Sequence, residues 1–130
     1  MELEINGKAY NFKFGIGFLR EVNSKQKVKT ADGNERELGF AYMVGGLMDG
    51  NILDLCEMLY IANKTETPRV DKKDLEDYLD DENTDIDKLF TDTIDFLSKS
   101  NACKTQIKQI QKAIETDGGK GAMIPFPIRA

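Results

Sequence analysis

The chain has 130 residues, with 18 basic and 23 acidic side chains, no His, no Trp and two Cys. That length suits one domain. The missing His excludes Ser-His-Asp and Cys-His catalysis and any imidazole zinc site, and two Cys are too few for a four-thiolate site. A net charge of −5 argues against nucleic-acid binding, which draws its affinity from basic groups on phosphates. No stretch approaches the roughly 20 apolar residues of a membrane span. The start, Met1-Glu2-Leu3-Glu4, lacks the basic and apolar regions of a signal peptide.

The first element reads as a β-hairpin. Asn6-Gly7 suits a type I′ turn, which needs positive φ at both central positions. With that turn, Ile5 faces Lys8 and Leu3 faces Tyr10. Leu3, Ile5, Tyr10, Phe12 and Phe14 then share one face, and Glu2, Glu4, Asn11 and Lys13 the other. Gly15-Ile16-Gly17 ends the strand, and Phe18, Leu19 and Val22 take helical spacing, predicting a helix over about 16–25. Residues 25–39 are polar, with a turn signal at Asp32-Gly33-Asn34; a loop and a second small hairpin both fit.

Residues 40–48 are apolar but carry Gly45-Gly46. Paired glycines weaken a helix by about 1 kcal/mol each relative to Ala. Close approach of another backbone would be a physical reason for them. Asn51 can cap the next helix, whose stripe is Ile52, Leu55, Cys56 and Leu59. Asn63 to Arg69 reads as a linker. Asp71 can cap a helix bearing Leu75, Tyr78 and Leu79. Asp85 opens another, with Ile86, Leu89, Phe90, Thr93 and Leu97 at 3-to-4 spacing, widened by Ile94 and Phe96. Ser100 is the expected cap of a last helix carrying Cys103, Ile107, Ile110 and Ile114, with Lys104, Lys108 and Lys112 on another face.

These elements predict an α+β fold, predominantly α: an N-terminal hairpin packed on a bundle of about five helices. The expected domain is 1–117, with the hairpin at 1–14 and the bundle at 15–117. Residues 118–130 are expected to be a flexible tail, entered through Gly118-Gly119-Lys120-Gly121. The acidity is uneven. Residues 64–100 hold 12 acidic and 6 basic groups, whereas residues 101–130 hold 2 and 5.

Motifs with chemical potential reduce to ordinary readings. Gly118-Gly119-Lys120-Gly121 lacks the preceding strand and the Ser or Thr of a phosphate loop. Gly15-Ile16-Gly17 lacks the third glycine of a dinucleotide fingerprint, because Arg20 stands there. Asp81-x-Asn83-x-Asp85 opens like a calcium loop, but Ile86 replaces the required Gly. Cys56 and Cys103 fall on apolar stripes and read as core thiols. No catalytic, cofactor-binding or metal-binding residue is expected.

The tail Ile124-Pro125-Phe126-Pro127-Ile128 is apolar and cannot readily continue a helix. Disorder and docking as an extended peptide are its two readings.

The run Leu3-Glu4-Ile5-Asn6-Gly7-Lys8, then Tyr10, Phe12-Lys13-Phe14-Gly15 and Phe18-Leu19-Arg20-Glu21-Val22-Asn23, resembles the tail assembly chaperones of long-tailed phages and prophages of Gram-positive bacteria. The resemblance continues through Leu53-Asp54-Leu55 to Ala62, the acidic stretch before Leu89-Phe90, and the break at Lys99-Ser100. It spans roughly residues 2–115. This chain has Asn101 where relatives often place Pro. The resemblance implies a non-enzymatic protein of the host bacterial cytoplasm, absent from the mature virion. Its implied partners are the tape measure protein, whose hydrophobic helices it keeps from aggregating, and the tail tube protein. Self-association is a further option. The family often makes a longer form by ribosomal frameshifting, and Gly118-Gly119-Lys120 is compatible with a slippery site. The alternative is a structural tail component, a tail tube or tail-completion protein retained in the particle.

A chaperone of apolar helices needs apolar surface that can repack. The candidate partner-binding residues are Met43, Leu47 and Met48, and the tail residues Ile124, Pro125, Phe126, Pro127 and Ile128. For the two methionines the competing reading is ordinary core. Deleting residues 122–130 is expected to weaken capture of the tape measure protein.

Overall fold

A computed structural model describes residues 1–116. The expected hairpin forms in the expected register. Strands β1 (Glu2–Ile5) and β2 (Lys8–Asn11) pair antiparallel, with Leu3 opposite Tyr10 and Ile5 opposite Lys8. Asn6 and Gly7 take φ of 53° and 75°, the left-handed values the turn demands. Ile5, Tyr10, Phe12 and Phe14 are buried, while Glu2, Glu4, Asn11 and Lys13 face water.

Helix α1 (Ile16–Asn23) buries Phe18 and Val22. Residues 25–39 resolve into a second hairpin, β3 (Lys27–Lys29) and β4 (Glu35–Glu37). Lys27 lies opposite Glu37 and Lys29 opposite Glu35, pairing unlike charges across the strands. Its turn is closed from within. Thr30 N–H donates to the Asn34 carbonyl at 2.7 Å, and Asn34 N–H to Asp32 Oδ1 at 3.0 Å. Only Val28 of its strands is even half-buried. Side-chain periodicity therefore had little to report there.

Helices α2 (Gly39–Met48) and α3 (Ile52–Asn63) follow. The Asn51 side chain caps α3, accepting from Leu53 N–H at 3.0 Å and Asp54 N–H at 3.3 Å. Helix α3 runs through the centre: Leu55, Met58, Leu59, Ile61 and Ala62 are all buried. Ile52, expected on its buried stripe, is exposed beside Leu53 in the first turn.

Helices α4 (Lys72–Asp80), α5 (Ile86–Lys99) and α6 (Lys104–Thr116) complete the chain. Asp85 caps α5 by accepting from Lys88 N–H at 3.1 Å. Asp71 takes the N-cap position of α4 without a side-chain cap bond. Ser100 does not cap α6 with its side chain. Its carbonyl accepts from Cys103 and Lys104 N–H, while its hydroxyl donates to the Phe14 carbonyl.

The architecture is thus α+β and predominantly α, with six helices among the described residues. Helix α2 packs against α1, α3, α5 and α6; α3 also meets α1 and α4; β1 lies against α4. Cys56 and Cys103 are free and buried in the core. Thr93 is buried on α5, and its hydroxyl has no hydrogen-bond partner among the described residues, a cost normally avoided in a core.

Candidate functional site

The hairpin leaves β2 as an extended run, Phe12 to Gly15, that enters α1. This run is fastened on two sides. Lys13 N–H donates to the Ala62 carbonyl at 2.9 Å. The Phe14 carbonyl receives the Ser100 hydroxyl and, at 3.8 Å, the Cys103 thiol. The first contact holds the run to the end of α3, the second to the α5–α6 junction.

A groove of about 900 Å³ lies along this run. It is lined by Lys13 to Phe18, by Phe96 and Lys99 of α5 and Ala102 just after it, and by Thr65 and Glu66. Phe14 and Phe18 stand edge to face there, their centroids 5.1 Å apart. Two large apolar residues in the lining face water: Ile16 is 66% exposed and Phe96 43%. Two apolar residues this exposed in one lining mark a surface for another apolar chain. Lys13, Lys99 and Glu66 supply charge around it.

Neither apolar residue was picked out from the sequence as a contact. Ile16 lies off the Phe18–Val22 stripe, which was a usable signal. Phe96 was expected to widen the buried stripe of α5. It sits at the edge of that stripe and emerges instead.

The three residues of α2 expected to bind a partner lie elsewhere. Leu47 is buried, and Met43 and Met48 are half-buried against the core on α2. None of the three lines the groove. Ile124, Pro125, Phe126, Pro127 and Ile128 fall outside the described residues. A second exposed apolar pair, Ile52 and Leu53, opens α3, with Leu53 77% exposed.

The shifted groups owe their shifts to surface pairing, a turn and burial. Lys72 is raised by its contact with Glu57 at 3.3 Å, and Lys73 and Lys88 by carboxylates four residues on, Asp77 and Asp92. The Asp32 carboxyl is lowered by the Thr30 hydroxyl and the Asn34 amide. Burial raises both thiols. Asp81 and Asp85, the acids of the calcium-like run, each accept a backbone N–H, from Asn83 and Lys88. Among the described residues no three His, Cys, Asp or Glu side chains cluster to hold a metal. No described helix is long and apolar enough to cross a membrane.

A family model described as phage tail assembly chaperone protein, TAC, matches residues 2–112. That match covers most of the chain and every residue of the groove except Met1. No curated protein and no solved structure matches the chain. The chain belongs to the phage tail assembly chaperone family.

Proposed function

We propose that this phage tail assembly chaperone binds apolar helices of the tape measure protein along the groove between Ile16 and Phe96. The observation that carries this reading is the presence of two exposed large apolar residues, from α1 and α5, in the lining of one groove. Family membership supplies the process, tail assembly. The groove supplies a surface of the right chemistry. An amphipathic helix laid along the groove would cover Ile16 and Phe96 with its apolar stripe. The protein works without catalysis, by shielding that stripe until tail tube subunits replace it. It acts in the host cytoplasm and leaves before the virion is complete. Met43 and Met48 are secondary contacts, whose flexible side chains can repack; Leu47 joins them only if α2 shifts.

Co-expression with a tape measure protein from the same genome tests this. The chain should keep that protein soluble and co-purify with it. Ile16→Asp with Phe96→Asp should cut capture about tenfold or more, since two apolar contacts are lost and about 1.4 kcal/mol is a factor of ten. Undiminished capture by the double variant would remove the groove from the mechanism. Mass spectrometry of purified particles should find the tape measure protein and not this chain; finding both would favour a retained tail component.

A further inference from the structure

The groove has a candidate occupant inside the same chain. We infer that Ile124-Pro125-Phe126-Pro127-Ile128 docks in cis between Ile16 and Phe96, as an extended apolar peptide that a partner helix must displace. Occupancy is independent of the proposed function; displacement by a partner rests on it.

Reach permits the docking. Helix α6 starts beside the groove, because Ala102 lines it and α6 begins at Lys104. Its 13 residues advance about 20 Å, so Thr116 lies no farther than that from the start of α6. Ile124 comes eight residues later and can extend about 26 Å. The glycines at 118, 119 and 121 let the intervening chain reverse direction. A tether this short holds the peptide at an effective concentration in the millimolar range, well above that of any neighbouring copy in dilute solution.

The peptide suits the surface. Pro125 and Pro127 bring no N–H to bury in an apolar groove. They also steer Ile124 and Phe126 into the β region. Side chains alternate there, so Ile124, Phe126 and Ile128 share one side. Little conformational freedom remains to be lost on docking. Residues 122–128 carry no charge to desolvate.

The chain has no Trp, so Phe126→Trp places a single indole reporter in the tail of the full chain. Selective indole excitation should give blue-shifted emission that does not change with protein concentration. Adding Ile16→Asp, alone or with Phe96→Asp, should move it to the red while far-UV circular dichroism stays native. Three results would overturn the inference: red emission with the parent groove, blue emission insensitive to both groove substitutions, or blue emission that grows with concentration. The last would assign the tail to a second copy. The emission needs no partner, so it separates this inference from the chaperone reading. Deleting residues 122–130 should then raise capture of the tape measure protein several-fold, by freeing the groove, the reverse of what the tail's composition alone suggests. Lowered capture would make the tail itself a binding surface and end the competition idea.

Discussion

Asn63 shows how much one polar side chain can organise. It is fully buried at the end of α3. Its Nδ2 donates to the Asn11 carbonyl at 2.9 Å and the Pro68 carbonyl at 3.1 Å. Its Oδ1 accepts from Val70 N–H at 2.7 Å. One amide therefore joins the first hairpin, α3 and the turn into α4. The sequence presented it as the first residue of a polar linker. Nothing local distinguishes an Asn that points into a core from one that points into water. Asn63→Ala should destabilise the fold by about 2 kcal/mol, because three backbone groups lose their partner, the Val70 N–H in a buried bond and the Asn11 and Pro68 carbonyls in part-buried ones. Urea unfolding monitored by circular dichroism would measure this; a loss under about 1 kcal/mol would mean that water replaces the amide.

Among the elements, those set by short-range chemistry were the legible ones. The Asn-Gly turn and the period-2 strands fixed the β1–β2 register, and Asn51 and Asp85 cap where a side-chain oxygen precedes an apolar stripe. Contacts distant in sequence stayed hidden. Ser100 resembled a helix cap but is committed to Phe14, 86 positions away. The groove that this bond braces was hidden for the same reason. A close approach that the sequence does not signal occurs at Gly39. A Cβ there would lie 2.0 Å from the Val22 carbonyl oxygen and 2.9 Å from that of Asn23. The start of α2 is pressed onto the end of α1, and Asn23 Oδ1 also accepts from Phe40 N–H at 3.1 Å. Gly39→Ala should therefore cost about 3 kcal/mol, as an overpacked site does. Gly17 of α1 is the control. An added Cβ would meet only Thr65 at 3.7 Å, so Gly17→Ala should stabilise by up to about 1 kcal/mol through helix propensity. Equal effects at the two sites would contradict this packing.

At the scale of the molecule, the connections argue for one cooperative unit. The run from Phe12 to Phe14 is tied to α3 through Ala62 and to the α5–α6 junction through Ser100 and Cys103. Helix α2 touches α1, α3, α5 and α6. The acidic stretch at 64–100 fits this arrangement, since Asp77, Asp92 and Asp95 each pair with a lysine four residues away on the same helix. These exposed pairs add little stability, so cohesion rests on the shared apolar core. The two free thiols report on it from separate places, Cys56 on α3 and Cys103 at the α5–α6 junction. Burial raises both thiol pKa values, with Glu76 adding to the effect at Cys56. In the native protein both should react with a thiol reagent at least roughly a thousandfold more slowly than in urea, since reaction requires global opening against 5 kcal/mol or more. Both should react in a single phase whose urea dependence follows circular dichroism. The raised thiols also set a direction with pH. The unfolded chain gives up these protons first, so stability should fall as pH climbs past the ordinary thiol value of 9.0. If Cys103 reacted early and alone, the α5–α6 junction would open as a separate unit. The part of the groove lining that carries Phe96 would then move independently of the part that carries Ile16.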